Sequence, residues 1–92
     1  MATVVHNPEE SRYEIHVDGV RAGLTHYRTT PEALVFDHTE IDDAYEGQGL
    51  GGQLARGALD DVRNHGGKVI AECPFIKGWI RQHEDYQDLL VR

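Results

Sequence analysis

The stretch "DDAYEGQGLGGQLARGALDDV", residues 42–62, decides how the rest of the chain is read. Five glycines fall between Gly47 and Gly57, and from Gly49 onward the pattern becomes helical. On such a helix Leu50, Leu54, Ala55, Ala58, Leu59 and Val62 share one broad face, while Gln53, Arg56, Asp60, Arg63 and Asn64 fall on the other. "NHGG" ends it with glycine at the expected C-terminal position. The order of elements on either side of this glycine turn sets the fold class.

Upstream, "SRYEIHV" alternates, with Tyr13, Ile15 and Val17 on one face, and Asp18-Gly19 is a hairpin signal. "VRAGLTHYRT" reads as a second strand, interrupted by Ala22 and Gly23. Pro31 marks a turn before a third strand, "ALVFDHTEI". Downstream, "KVIAEC" is a short strand stopped by Pro74. "PFIKGWIRQHEDY" is a second helical segment with the apolar stripe Phe75, Trp79 and Ile80. Three meandering strands, a helix, a strand and a helix predict an α+β domain. Its closing strand–helix–strand crossover favours a mixed sheet.

The glycine turn admits three readings. Glycines provide tight entry into a helix or close packing of that helix on a sheet. A phosphate-binding P-loop is excluded, because no Lys-Ser or Lys-Thr pair follows the last glycine. A dinucleotide fingerprint matches in letters: Gly47-Gln48-Gly49-Leu50-Gly51-Gly52 satisfies G-x-G-x-x-G, with Glu72 downstream. Its context fails. The polar run Asp42 to Glu46 separates the preceding strand from the first glycine, and the preceding strands form a meander.

The third reading fits the context. Glu46-Gly47-Gln48-Gly49-Leu50-Gly51 resembles the acyl-CoA loop of the GCN5-related N-acetyltransferases, [Q/R]-x-x-G-x-[G/A]. With "HTEI" before the loop, "AECPFI" after the next strand and "WIRQHEDYQDLL" at the end, the chain looks like the small acetyltransferase-like subfamily of that family. The resemblance spans roughly residues 10–90 and implies one N-acetyltransferase-like domain over residues 1–92. The implied fold is minimal: a twisted mixed sheet, an antiparallel meander plus a parallel strand, with two main helices. The last parallel strands are expected to splay and admit a pantetheine arm.

The implied co-substrate is acetyl-CoA or coenzyme A, held by Glu46, Gly47, Gln48, Gly49, Leu50, Gly51 and Gly52. Physically, unpaired N–H groups and the positive end of a helix dipole form an anion site, and glycines let backbone approach phosphate. The family's usual Gln or Arg is Glu46 here. The implied activity is acetyl transfer to an amine acceptor, a small molecule or a protein Lys. The alternative is a non-catalytic CoA-binding or protein-interaction module, because the extra helices and C-terminal hairpin of full-sized relatives do not fit in this length. The acceptor pocket is then open or completed by a partner, a homodimer among the arrangements.

Cys73 and His38 are the candidate catalytic residues. The resemblance puts Cys73, the single cysteine, at the mouth of the splayed strands. It is a small buried hydrophobe, an acyl acceptor or a CoA-disulfide partner. His38 lies on the third strand and is a strand histidine, an acceptor of the amine proton or a partner of Cys73. The family's leaving-group Tyr has no counterpart in "GWIRQH", and Tyr86 lies further on. Glu40, Asp42 and Asp43 are a solvated loop face or an attractor for a cationic amine. Arg56, Lys77 and Arg81 are candidates for CoA phosphates. His6, His16, His26, His65 and His83 show no ligand spacing, so no metal is expected.

Composition narrows the partners. Sixteen acidic residues against nine Lys and Arg give a net charge of −7, which argues against nucleic acid or an anionic membrane. A single anion held by backbone amides remains compatible. One cysteine precludes an internal disulfide. "MATVVHNPEE" has neither a basic n-region nor an apolar run, so a cytoplasmic protein is expected.

Overall fold

The computed structural model describes residues 1–91. Its strands are β1 (Ala2–Asn7), β2 (Arg12–Val17), β3 (Val20–Thr29), β4 (Leu34–Ile41) and β5 (Val69–Ala71). Its α-helices are α1 (Leu50–Asn64) and α2 (Pro74–Arg81). The strands form one sheet in the order β1-β2-β3-β4-β5, antiparallel except for the parallel β4–β5 pair. This is the expected mixed α+β architecture with two main helices.

Local chemistry explains the joints. Asp18 and Gly19 both take positive φ, 50° and 83°, as a two-residue hairpin turn of the primed kind demands. Helix α1 closes in a Schellman motif: Gly67 N–H donates to the Val62 carbonyl and Gly66 N–H to that of Arg63, with Gly66 at φ 71°. Pro74 opens α2, where its missing N–H is of no consequence.

Two differences from the sequence reading stand out. The meander has four strands, because β1 adds an outer edge with only Ala2, Val4 and Asn7 partly buried. Its short, half-exposed Thr-Val-Val run carries little hydrophobic signal. What locks it is steric. A Cβ at Gly57 of α1 would lie 2.7 Å from a Val4 methyl, so glycine lets helix and strand touch. The second helical segment is also shorter than predicted. It ends at Arg81, and Glu84–Leu89 forms a 3-10 helix beyond it.

Both helices pack on one face of the sheet. The predicted stripe Leu50, Leu54, Ala55, Ala58, Leu59 and Val62 is buried there with Tyr13, Ile15, Phe36, Ile76 and Ile80. Each fully buried Leu or Ile contributes roughly 1.5–3 kcal/mol. The Tyr13 hydroxyl donates to Asp61 Oδ2 at 2.7 Å, fixing the rotation of α1 on the sheet. Burial, then the Asp61 carboxylate, raises the Tyr13 pKa, so this donor stays protonated.

On the opposite face Glu14 is nearly buried among donors. It accepts from Arg12 Nε at 2.7 Å, His16 Nε2 at 2.8 Å and Asn7 Nδ2 at 3.0 Å. Bonds from His16, then Arg12, then Asn7 outweigh its desolvation and lower its pKa to about 2. A depressed carboxylate stabilises the fold above its unfolded pKa, and that stability is lost as pH falls through the folded value. Denaturant unfolding should therefore show stability falling from about pH 4.5 down towards pH 2, more steeply in wild type than in Glu14→Gln. Equal slopes would remove Glu14 as the acid-sensitive group.

Candidate functional site

The site begins where β5 leaves β4. Only Leu34, Val35 and Phe36 of β4 pair with β5, opposite Val69, Ile70 and Ala71. The Phe36 carbonyl then accepts from both Glu72 N–H at 2.9 Å and Cys73 N–H at 2.8 Å. Beyond it β4 runs on to Ile41 while the other chain turns into α2. The expected splay is therefore built at Phe36.

Cys73 is the N-cap residue of α2 and 4% exposed. Its Sγ–H donates to Thr39 Oγ1 at 3.3 Å, and Thr39 shares a 2.8 Å hydroxyl bond with fully buried Thr25. The thiol is held by a hydroxyl pair, with no base bonded to it among the described residues. His38 does not join it. The register of β3 and β4 shifts at Asp37, with His26 opposite His38 but Tyr27 opposite Phe36. This bulge reverses the alternation. Phe36 and Thr39 face the core, whereas His38 is exposed and contacts Glu40 Oε2 at 3.3 Å. Plain period-two counting from Phe36 would have turned His38 inward.

The glycine loop leads into α1 as expected. Asp42 Oδ1 accepts from Ala44 N–H and starts a 3-10 turn over Asp43–Tyr45, which leaves Glu46 exposed in extended backbone. Gly47 and Gly49 take φ 79° and 73°, a region strained for side-chain-bearing residues. Gly49 is the N-cap and supplies no side-chain bond, and no acidic residue occupies the first turn. The leading amides and dipole of α1 are thus left for an anion. Gln48 is exposed, and Leu50 anchors the turn in the core. Gly51 abuts the Phe75 ring, where a Cβ would come within 2.8 Å, and Gly52 faces Trp79 Nε1.

An open groove of about 520 Å³ runs from this turn, lined in part by Gly49, Gly52, Gln53, Arg56, Trp79 and His83. His83 stacks on Trp79 at 3.8 Å between centroids, and its Nδ1–H donates to the Trp79 carbonyl at 2.6 Å. The Arg56 guanidinium lies 5.4 Å over the Trp79 ring and donates to the Tyr86 hydroxyl at 3.1 Å. Tyr86 in turn donates to Asp60 Oδ1 at 2.6 Å. That bond, with burial behind it, raises the Tyr86 pKa. Tyr86 is engaged in this α1 contact.

A family model described as GCN5-related N-acetyl-transferase matches residues 12–89. The chain belongs to the GCN5-related N-acetyltransferase family. It resembles a GCN5-like protein of Staphylococcus aureus, known from an NMR solution structure, with a TM-score of 0.72 and 25% identity over 97% of this chain and 87% of that one. Protein NATD1 of Mus musculus is 28% identical over 82 residues, 87% of this chain and 74% of the mouse protein. Protein NATD1 of Danio rerio is 24% identical over 92 residues, 96% of this chain and 84% of the fish protein.

Within this acetyltransferase fold the loop residues, Cys73 and the splay converge on one end of the sheet, and His38 stands on its other face. Sequence reasoning gave no role to Thr25 or Thr39 and weighed His83 only as a metal ligand. His83 was legible as the fourth residue after Trp79, one helical turn on. Thr39 was hidden by the bulge. Burial predicts that Cys73 reacts with a disulfide reagent roughly a hundredfold more slowly in the native protein than in the unfolded chain, since modification must await opening. Reaction at the unfolded rate would contradict this placement.

Proposed function

We propose that the protein binds acetyl-CoA at the N-terminus of α1 and transfers its acetyl group to an amine. The uncapped start of α1, whose N-cap Gly49 borders an open groove along α1 that reaches Trp79 and His83, carries the reading. Anion binding by backbone amides reconciles a CoA ligand with a protein of net charge −7. In this assignment the amides after Gly49 meet the pyrophosphate, with Gly47, Gln48, Gly51 and Gly52 shaping the approach. Glu46 stands where relatives carry Gln or Arg and opposes the phosphates. Arg56, Trp79 and His83 offer a cation and a stacked aromatic surface further along the groove.

Acyl transfer needs a free amine, a polarised thioester carbonyl and a protonated leaving thiol. Cys73, whose N–H bonds the Phe36 carbonyl where β4 and β5 part, is the thiol to weigh as an acyl acceptor. With its S–H donated to Thr39 Oγ1 and no base bonded to it among the described residues, direct attack by the amine is favoured over an acyl-cysteine. The exposed pair His38–Glu40 is the amine-proton acceptor to test.

A second reading, CoA binding without turnover, is supported by the same lack of a base at Cys73 and by the engagement of Tyr86 with Asp60. Thiol release from acetyl-CoA, above hydrolysis, with a panel of amines and Lys peptides decides between them. Turnover within a few-fold of wild type in Cys73→Ser, with a larger loss in His38→Ala, is the expected result. A stable acetyl adduct on Cys73 would replace direct attack, and no turnover with any acceptor would leave the binding module.

CoA at about a hundred times its dissociation constant should stabilise the protein by roughly 2.7 kcal/mol, and NAD should not. Gly52→Val is the sharper probe of the groove. Its nearest contact is Trp79 Nε1 at 3.6 Å, so a side chain fits the fold but occupies the groove. Calorimetry should show CoA affinity reduced at least about tenfold, or about 1.4 kcal/mol, with little change in melting temperature. Unchanged affinity would take the groove out of the site.

A further inference from the structure

Three side chains meet where β4 and β5 part: Cys73 from the start of α2, Thr39 from β4 and Thr25 from β3. Thr39 lies beyond Phe36, on the length of β4 that β5 no longer pairs. A threonine hydroxyl carries one O–H donor and two acceptor lone pairs, so the direction of each bond follows from counting. The Cys73 Sγ–H donates to Thr39 Oγ1 at 3.3 Å and fills one lone pair. Thr25 is wholly buried, and its hydroxyl has one side-chain contact among the described residues, the 2.8 Å approach to Thr39 Oγ1. A buried hydroxyl needs an acceptor for its proton, so Thr25 donates and fills the second lone pair.

The proton of Thr39 is then the one left over, with no acceptor among the described residues. The reverse order, Thr39 donating to Thr25, would strand the Thr25 proton in the interior. Thr39 is also the half-buried member of the three, whereas Thr25 is 0% and Cys73 4% exposed. The leftover donor is therefore on the residue with access to the gap. Its rotation is set: Cβ and two donors surround Oγ1, and the O–H takes the remaining direction. Val91, where the described chain ends, bonds Val69 of β5 and takes no part in this arrangement.

We propose that the Thr39 hydroxyl donates to the thioester carbonyl oxygen of a bound acetyl-CoA. The assignment rests on the CoA reading above and adds the donor that polarises the carbonyl. Filled lone pairs rule Thr39 out as acceptor of the amine proton, and a carbonyl oxygen, which only accepts, matches what it has left. In the transfer the amine nitrogen bonds to the carbonyl carbon and the π pair moves onto the oxygen held by Thr39. Return of that pair breaks the carbon–sulfur bond and releases CoA as thiolate. The amine proton passes to His38 or water and balances the thiolate, and Thr39 keeps its own proton throughout. A donor already aimed where charge develops costs no reorganisation during the reaction.

The test is isotope-edited infrared spectroscopy of acetyl-CoA, labelled at the carbonyl carbon, bound to the protein. The carbonyl band should lie at lower wavenumber in wild type and Thr39→Ser than in Thr39→Val, with little difference in affinity by calorimetry. With an amine that is acetylated, Thr39→Val should lose roughly a hundredfold in kcat with KM for acetyl-CoA nearly unchanged, and Thr39→Ser should recover most of it. Thr39→Val strands the Thr25 hydroxyl. If it fails to fold, Thr25→Val/Thr39→Val removes both partners and takes its place. A carbonyl band unmoved by loss of the hydroxyl, or an unchanged kcat, would overturn the proposal while leaving CoA binding intact. The infrared arm needs binding alone, so it decides even for a protein that acetylates nothing. Absence of any acetyl-CoA binding would instead overturn the CoA reading, and this assignment with it.

Discussion

The carbonyl of Phe36 accepts two backbone N–H groups, from Glu72 and Cys73, and the rest of the functional end of the molecule follows from that bond. It terminates the parallel pairing of β4 and β5 after three residue pairs. It also swings the chain off the sheet into α2, so that Cys73 becomes a helix N-cap facing Thr39. Had the pairing continued to Ile41, no gap would separate the strands. The bulge at Asp37 works with this divergence, turning Thr39 inward and leaving His38 outside.

The second constraint is how an acidic chain presents positive potential. The Schellman closure at Gly66 ends α1, and the Tyr13–Asp61 bond sets its rotation. The N-terminal amides are then aimed by the fold rather than by a mobile side chain. A preorganised dipole of this kind needs no Lys or Arg in its first turn. Arg56, held over Trp79 and bonded to Tyr86, lies along the groove. Lys77 and Arg81 of α2 lie instead around a separate pocket with Ala71, Ile80 and Leu90.

Much of this was legible in the residues. Hydrophobic periodicity located α1, because its apolar stripe is long and regular. Asp18-Gly19 and "NHGG" marked turns whose backbone demands glycine or a small polar residue. Family resemblance supplied the loop and the splay. The rest depended on tertiary events that leave little local trace. Strand β1 is an edge whose contact with α1 rests on the missing side chain of Gly57. The β4 bulge inserts one residue and inverts the faces beyond it, so the orientation of His38 could not be counted from its neighbours. The stop of α2 at Arg81 follows from the chain turning into a 3-10 helix that buries Tyr86 and Leu89.

The central claim is that the free amides at the start of α1 are the anion site. Titrating the isotope-labelled protein with CoA, and following backbone amide resonances, tests it directly. The account predicts the largest proton shifts at Leu50, Gly51 and Gly52, downfield as for amides gaining a charged acceptor, with smaller changes at Arg56 and Trp79. Pantetheine, which carries no phosphate, should leave the first three nearly unmoved. Saturable CoA binding that leaves Leu50, Gly51 and Gly52 unshifted would contradict the account.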